Sequence, residues 1–366
     1  MPLYTNVKAP EKYNDGFNAG LWYDKFCRQW VVTENGRVWS MKSSDKNNPK
    51  AAWVNTTVRK VGDAGRLAEM KERFLTMLVN LQGSWRVFQT EWRFVTGLGR
   101  NHPVENGFAW HATLGVPFLP GFSVKGVVRA WAQKWLDISN TDLVRIFGEG
   151  GSVGSVIFFD ALPANQVQLD IDVMTPHYAE YYQDSAGQEP PADWYSPTPI
   201  PFLTVAAGQL FIFAAAPRHP HEEGSRRDAE QVINWLEDAL TWIGARAKTA
   251  AGYGRFVRDG KAEGELANWL KARQLEAQQI KKQEALADMS PVRQEMEKDG
   301  YSENPDRFMA ALTQTWLKRL DEEQQEEVRR EVAQLLAAWY QANKPDQWEK
   351  PRGKNEAKVK KIKSCL

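Results

Sequence analysis

Two cations four residues apart, Lys125 and Arg129, stand in a segment whose composition suits the binding of a phosphate group. Residues 117–130, PFLPGFSVKGVVRA, combine a Pro-Gly turn with an N-cap candidate, Ser123, and apolar residues at helical spacing. The N–H groups of a helix start attract anions, and cations on one helix face strengthen that attraction. Gly126 lacks a side chain that would keep a sugar-phosphate backbone away. The alternative is an ordinary exposed helix start with two solvated cations.

The composition is that of a globular chain of 366 residues, 42% hydrophobic and 25% charged. The formal net charge is only +1, so any anion site must come from a local arrangement of charges. Cys27 and Cys365 are too few for a disulfide framework or a zinc site, which fits a reducing cytoplasm. No apolar run has the length of a signal segment or a membrane span. We therefore expect a cytoplasmic protein with no membrane contact and no cofactor.

The middle of the chain predicts strands and helices in the order strand, helix, strand, strand, helix, strand. This is the order of the ferredoxin-like split βαβ motif. A further extended piece is predicted over residues 167–173. The predicted core strands are 85–94, 153–160, 208–216 and 255–259, and the predicted core helices are 124–138 and 232–243.

This order brings four irregular segments to one end of the predicted sheet. They are the TGLG loop after the first strand, the PGFSVKG turn, a long Pro- and Tyr-rich insertion, and the AKTAAGYG loop before the last strand. Core packing alone does not explain why such segments meet, so this end of the sheet is the predicted functional edge.

Changes in composition along the chain predict an α+β fold with additions at both ends. In the N-terminal part the aromatic segment LWYDKFCRQWVV predicts a strand, and residues 43–50 predict a loop. At the other end, apolar residues at helical spacing predict a buried set of Trp316, Leu320, Val328, Val332, Leu335 and Trp339. The tail over 350–363 is basic and predicts disorder. The predicted parts are an N-terminal extension packing on the core over 1–84, a core over 85–260 with an insertion at about 174–207, a helical hairpin over 261–345, and a basic tail over 346–366.

Five segments carry a more specific signature: TGLGRNHPVENGFAWHATLGVPFLPGFSVKGVVRA, VIFFDALP, DVMTPHYAEYY, SPTPIPFLTV and AKTAAGYGRF. In that order they resemble the RAMP proteins of CRISPR effector complexes, most specifically the family that supplies the sixth subunit of the type III-B (Cmr) complex. The similarity runs from Asn18 to Phe256 and includes NAGLWYDKF near the N-terminus. At Phe122 the sequence departs from the family, whose turn usually carries a second serine.

The resemblance implies an RRM-like core that caps one end of a ribonucleoprotein filament, near the 3′ region of a guide RNA and its duplex with target RNA. It implies as partners these two RNAs, the repeated backbone subunit, the small helical subunit and the first RAMP subunit. It also implies that the repeated subunit cuts the target, so that this chain is not an enzyme. The implied RNA contacts, with neighbours from the same segments, are Gly97, Gly99, Arg100, His102, Ser123, Lys125, Arg129, Arg246, Lys248, Thr249, Tyr253 and Arg255.

A rival hypothesis is a metal-independent ribonuclease that processes guide RNA, as related RAMP proteins do. Such cleavage needs a general base near the 2′-hydroxyl and a general acid at the leaving oxygen. The candidates are His102 with Glu105 in the Gly-rich loop, together with His111 and His177. The competing interpretation of His102 is a loop histidine that shapes contacts with RNA or with a partner.

Two further hypotheses are weaker. Asp160, Asp170, Asp172 and His177 could hold a divalent ion, but alternation of the carboxylates with apolar residues is typical of the wet face of a strand. A purely protein-binding module, with its Trp-rich segments as contacts, would differ from an RNA binder in having no salt-dependent affinity for RNA.

Overall fold

The computed structural model describes residues 13–14, 16–27, 30–32, 39–41, 48–178 and 199–366, together with scattered positions between 181 and 197. The chain divides by its internal contacts into two compact units, residues 1–270 and 271–366. The described residues hold the strands β1 Trp30–Val32, β2 Trp39–Met41, β3 Lys60–Val61, β4 Ser84–Thr90, β5 Val156–Phe158, β6 Leu162–Pro163, β7 Val167–Met174, β8 Ile200–Val205, β9 Leu210–Pro217 and β10 Phe256–Arg258.

Helices surround these strands and make up most of the second unit. A 3-10 turn forms at Thr249–Ala251, and a π-helical turn forms at Leu312–Trp316. Within the described residues, no helix combines the length and the apolar character that crossing a membrane requires. The helices are α1 Ala19–Lys25, α2 Pro49–Asn55, α3 Ala64–Asn80, α4 Gly121–Trp135, α5 Asn140–Phe147, α6 Glu223–Trp242, α7 Gly260–Ala287, α8 Pro291–Lys298, α9 Pro305–Ala311, α10 Leu317–Glu322, α11 Glu326–Asn343, α12 Pro345–Glu349 and α13 Lys354–Ser364.

An antiparallel sheet in the order β10-β4-β9-β5 forms the centre of the first unit, with β6 also pairing with β9. Trp85 of β4 lies opposite Ala214 of β9, and Phe256 of β10 lies opposite Thr90 of β4. Along the chain the core elements come in the order β4, α4, β5, β9, α6 and β10. This matches the predicted order of strands and helices. Strands distant in sequence therefore meet in one mixed helix-and-sheet core.

Strand β9 is apolar along its whole length because both of its faces are covered. Phe211 and Phe213 point into the core formed with α4 and α6. Ile212 and Ala214 point the other way, into a second cluster with residues of α3 and Leu266 of α7. Helices thus cover both faces of this sheet.

A second sheet, in the order β3-β7-β8, corrects the predicted insertion. The extended piece at 167–173 is confirmed as β7, but residues 200–205, predicted as irregular, form β8 and pair with it. Strand β8 tolerates Pro201 because it lies at the edge of this sheet, where a missing N–H breaks no ladder. The proline content of this segment thus led to a prediction of irregular structure where a strand forms.

The aromatic segment near the N-terminus is helical where a strand was predicted. Asn18 caps α1 by accepting the N–H of Leu21 at 3.0 Å, and Trp22 and Tyr23 are buried. Only its last residues, in β1, are extended. The predicted loop over 43–50 lies outside the described residues up to 47, and residues 49–50 begin α2.

The second unit has more helices than the predicted hairpin. Pro291, Pro305 and Pro345 each occupy the first position of a new helix, where the missing N–H costs nothing. Trp316, Leu320, Val332 and Trp339 are buried as predicted, and Val328 and Leu335 pack against them partly buried.

The basic tail is helical, which corrects the predicted disorder. Val359 and Ile362 of α13 are buried in the core of the second unit. Lys361 forms an ion pair with Asp321. Two apolar side chains one turn apart give this lysine-rich helix a face to bury, which the bulk charge of the segment does not reveal.

Helix α4 begins two residues before the predicted N-cap, Ser123. Pro120 is the capping residue, and its side chain forms no cap hydrogen bond. Asp160 supplies the cap instead, because its Oδ1 accepts the N–H of Gly121 at 2.6 Å. A Cβ at Gly121 would lie 2.5 Å from the Phe158 carbonyl oxygen, so the helix start sits tightly against β5.

Replacing Gly121 by alanine is expected to lower the free energy of unfolding by about 1–3 kcal/mol, because overpacking displaces the helix start. Gly126→Ala is the matched control in the same helix. A Cβ at Gly126 meets no atom within 4 Å, so this change is expected to stabilise the protein by about 0.5–1 kcal/mol. Urea denaturation measures both. Equal stability of the two variants would show that the close approach at Gly121 is not a constraint.

Candidate nucleic-acid interface

The Gly-rich loop after the first core strand is folded back on itself. The N–H of Arg100 donates to the Gly97 carbonyl at 3.0 Å, and the N–H of Gly107 donates to the Arg100 carbonyl at 3.0 Å. Gly97 has a φ of +78°, and a Cβ there would collide with the backbone of Ala109. Gly99 has open space around it. The loop therefore presents an exposed Arg100 near its tip.

The loop before β10 is held by backbone hydrogen bonds at its base. Ala245 donates to the Gly254 carbonyl at 2.8 Å, and Gly254 donates to the Arg93 carbonyl at 2.9 Å. Arg246 and Lys248 both adopt positive φ angles, of 76° and 61°. This conformation is costly for residues with side chains. The surrounding contacts therefore hold two cations in place on a strained turn.

A network of charged groups ties this loop to the second sheet. Arg93 donates to Asp170 at 2.7 Å and to Asp172 at 2.6 Å, and the Tyr253 hydroxyl donates to Asp172 at 2.6 Å. Burial alone would raise the pKa of Asp172, but hydrogen bonds from Tyr253, Val173 and Arg93 outweigh it and lower that pKa. Burial, together with Asp172, raises the pKa of Tyr253 to about 12. The two aspartates are thus partners of Arg93 and Tyr253.

The hypothetical metal cluster does not assemble. Asp160 caps α4, Asp170 and Asp172 bind Arg93, and His177 is exposed. Across the part of the chain that the structure describes, no three acidic, histidine or cysteine side chains are grouped as metal ligands.

One face of α4 carries the predicted cations together with an aromatic ring. Phe122, Lys125, Gly126 and Arg129 follow one another at the spacing that places side chains on one helix face. The Lys125 ammonium has no hydrogen-bond or ion-pair partner among the described residues. Arg129 lies 4.0 Å from Glu149, at the limit of an ion pair. The N–H groups of Gly121, Ser123 and Val124 are already bonded within the protein, so they are not available to an anion here.

Arg246 connects the second loop to this helix face and to the Gly-rich loop. Its guanidinium lies 5.6 Å from the centre of the Phe122 ring. Its Nε is buried without a hydrogen-bond partner in the described part of the chain. Burial, and secondarily the charge of Arg100, lower the pKa of Arg246. We call Arg100, Arg246, Phe122, Lys125 and Arg129 the basic face.

The remaining predicted contacts in the second loop have partners within the protein. The Lys248 ammonium lies 5.7 Å from the centre of the Phe202 ring, and Thr249 begins the 3-10 turn. Arg255 donates to the Thr241 carbonyl at 3.2 Å. Outside this loop, the predicted contact Ser123 lies half-buried in the first turn of α4. Tyr253 and Arg255 thus shape the loop, while Arg246 and Lys248 give it charge.

His102 is the clear departure from the predicted site. Its side chain is 3% exposed and stacks on Tyr23 with ring centres 4.3 Å apart. Nε2 lies 3.0 Å from the Tyr23 carbonyl oxygen, and Nδ1 accepts the N–H of Val104 at 3.3 Å. Burial is the main cause that lowers the pKa of His102 to about 4. This histidine shapes the loop from inside and has no surface to offer to RNA.

Two further candidates for a general acid or base have separate partners and do not pair with His102. Glu105 pairs with Lys50 rather than with His102. Nδ1 of His111 accepts the N–H of Leu114 at 3.3 Å, which is a local turn contact. Sequence reasoning missed the positioning role of Arg93. The alternating Asp170 and Asp172 are the signal that could have indicated a cationic partner such as Arg93.

The depressed pKa of His102 predicts an acid-sensitive contribution to stability. The folded protein binds a proton at His102 less readily than the unfolded chain does. The stabilisation of the folded state by neutral His102 is therefore complete above pH 6.5 and is lost as the pH falls to about 4. Its upper bound is about 3 kcal/mol. Urea denaturation across this range should show a steeper loss for the wild type than for His102→Gln, while His177→Gln should match the wild type. An NMR titration giving His102 an ordinary pKa would contradict this account.

We expect Asp172, but not Asp170, to stabilise the loop before β10. Asp172→Ala removes the acceptor of Tyr253 and one partner of Arg93, with an expected loss of about 1–3 kcal/mol in unfolding free energy. Hydrogen exchange of residues 246–255 should rise in this variant. Asp170→Ala, the matched control, removes a bond to Arg93 and the acceptor of the Ile171 N–H but no bond to Tyr253, so exchange of the loop should stay near its wild-type rate. Equal exchange in the two variants would rule out a special role for Asp172.

Part of this chain is similar to known proteins. The family model described as "RAMP superfamily" matches residues 87–257. A curated protein of Pyrococcus furiosus named "CRISPR system Cmr subunit Cmr6" is 29% identical over 245 residues, covering 50% of this chain and 70% of that protein. A protein of Saccharolobus solfataricus named "CRISPR system CMR subunit Cmr6" is 29% identical over 154 residues, covering 42% of this chain and 48% of that protein. The chain thus spans about half the length of this second relative.

Solved structures with similar chains bear related names. A chain in the "Cryo-EM structure of the Type III-B Cmr-beta bound to cognate target RNA" is 20% identical, with a TM-score of 0.47, covering 66% of this chain and 87% of that one. The "Crystal structure of Cmr6 from Pyrococcus furiosus" is 29% identical, with a TM-score of 0.32, covering 48% of this chain and 98% of that one. The assignment depends on the sequence matches and not on these superpositions. Residues 87–257 therefore match the RAMP superfamily, and the chain is similar to the Cmr6 subunits of CRISPR systems.

Proposed function

We propose that this chain is a non-catalytic, RNA-binding capping subunit of a type III-B CRISPR (Cmr) effector complex. In this role it holds the 3′ region of guide RNA and its duplex with target RNA. The observation that carries the proposal is the basic face, on which Lys125 and Arg129 share a face of α4 with Phe122 and the Arg246 guanidinium lies 5.6 Å from the Phe122 ring. None of Arg100, Lys125 and Arg246 forms an ion pair with a carboxylate among the described residues.

The chemistry of the basic face suits the backbone of RNA rather than its base sequence. Guanidinium and ammonium groups bind phosphate oxygens and position a strand without reading its bases. A guide carrier must accept many sequences, so contacts of this kind meet the requirement. With a net charge of only +1, the chain needs this local concentration of cations to bind a polyanion at all.

The side chains of the basic face favour a scaffold over a ribonuclease. General acid–base cleavage of RNA needs groups that exchange protons near neutral pH. The face contains arginine, lysine and phenylalanine but no histidine, and His102 is buried with both ring nitrogens engaged. Burial and, secondarily, the hydrogen bond to Asp172 raise the pKa of Tyr253 and keep it protonated. These placements support a role in holding RNA.

The proposed partners follow from the relatives. One similar chain belongs to a type III-B complex described as bound to cognate target RNA. We assign to this chain the same class of partners, namely guide and target RNA, the repeated backbone subunit, the small helical subunit and the first RAMP subunit, in the cytoplasm. The sheet order β10-β4-β9-β5, with α4 and α6 as the crossovers, supports a ferredoxin-like, RRM-like classification of the core.

Co-expression with the neighbouring genes tests the proposal. The tagged chain should purify with other RAMP subunits and with guide-length RNAs that share a repeat-derived 5′ end. Incubation of the isolated chain with repeat RNA in EDTA should leave the RNA intact. If the chain instead purifies alone and cuts repeat RNA without metal, the ribonuclease hypothesis is correct and the scaffold proposal is wrong.

The double variant Lys125→Ala/Arg129→Ala is expected to weaken RNA binding about equally for all sequences. Loss of two phosphate contacts should reduce the slope of log affinity against log salt by about 1.4. Lys134→Ala/Arg227→Ala is the matched control, since it removes the same charge from exposed positions of α4 and α6 outside the basic face. Fluorescence anisotropy of labelled RNA across a salt series measures both. Identical affinity and slope in the two double variants would remove the basic face from the RNA site.

A further inference from the structure

Phe122 is an aromatic ring placed on the surface where burial would favour an interior position. The ring is 74% exposed in the first turn of α4, although apolar neighbours in the same helix, such as Val124 and Val128, are fully buried. A single exposed apolar side chain is ordinary on a protein surface. What distinguishes Phe122 is its setting among the cations of the basic face.

Arg246 lies over the ring of Phe122. The distance of 5.6 Å from the guanidinium carbon to the ring centre is within the range of a cation–π contact. This contact steadies the ring and directs a positive charge toward it, while most of the ring surface stays open to solvent. An aromatic ring that is both fixed and open is a suitable surface for stacking.

The helix surface next to the ring is unusually bare. Gly126 follows Phe122 by one helical turn, and a Cβ at this position would meet no atom within 4 Å. Glycine inside a helix costs about 1 kcal/mol relative to alanine, and no packing contact here requires it. Lys125 and Arg129 flank the gap along the same face. The gap leaves room for a nucleotide whose phosphate reaches the cations while its base reaches Phe122.

We propose that Phe122 is a stacking platform for one unpaired nucleobase of the RNA held on the basic face. This inference rests on the proposed RNA-binding function and adds a base contact to the phosphate contacts. Every base has a flat π surface, so stacking on phenylalanine tolerates any sequence. Bases offered to proteins in this way are unstacked from their neighbours, as in single strands and splayed ends. The ligand is therefore a single-stranded or flipped-out nucleotide rather than continuous duplex.

Binding of synthetic single-stranded RNA to the full chain tests this contact. Phe122→Leu keeps an apolar side chain but removes the ring, and it is expected to weaken binding of oligoadenylate about 5- to 100-fold. Phe122→Trp should keep wild-type affinity or exceed it. Because neither change removes a charge, the salt dependence should stay that of the wild type. The thermal midpoint should also be unchanged, since the side chain is exposed.

A base-specific readout separates stacking from a merely structural effect. An RNA carrying 2-aminopurine at successive positions should show quenched fluorescence at one position with the wild type, and the quenching should be lost with Phe122→Leu. At that position an abasic RNA should bind both proteins equally. Wild-type affinity and quenching in Phe122→Leu would overturn the inference and leave Phe122 as a contact for a neighbouring protein.

Failure of the inference and failure of the proposed function give different results. If Lys125→Ala/Arg129→Ala weakens binding while Phe122→Leu does not, RNA binding stands and the stacking contact is wrong. If the wild type shows no salt-dependent binding to any oligonucleotide, the proposed function is wrong and the inference falls with it.

Discussion

Burial of β9 on both faces is the constraint on which the first unit depends. Its alternate side chains point into two separate apolar clusters, one formed with α4 and α6 and the other with α3 and the beginning of α7. Neither face of β9 is therefore open. An RRM that binds RNA does so on an open sheet face with exposed aromatic residues. In the proposed function, helix starts and loops hold the RNA in place of the faces of β9.

The same constraint explains why the basic face lies where it does. Helix α4 begins close against β5, with Gly121 in contact with the Phe158 carbonyl and capped by Asp160. Its next turns present Phe122 and Lys125 outward while Val124 and Val128 are buried. The loop that carries Arg246 is drawn to the same end of the sheet by β10 and by the hydrogen bond from Gly254 to Arg93. Packing of the core thus brings Arg246 of this loop over the Phe122 ring of α4.

Three aspartates at this end of the molecule have structural roles, and they do not pair with the cations of the basic face. Asp170 and Asp172 neutralise Arg93, and Asp172 also holds Tyr253. Asp160 is used as a helix cap. These three aspartates are therefore paired away from the basic face, where Glu149 lies 4.0 Å from Arg129. This arrangement agrees with the proposed role of holding a polyanion.

The sequence by itself determined the order of the core elements and the family resemblance. These follow from local signals: the period of apolar residues, Gly and Pro in turns, and ordered motifs. Tertiary structure decided what depends on distant partners. It buried His102 against Tyr23, replaced the expected Ser123 cap by Asp160, made residues 200–205 a strand and gave the basic tail a buried helical face. In each case a residue far away in the chain satisfies a hydrogen bond or covers an apolar surface, and no local pattern records that partner.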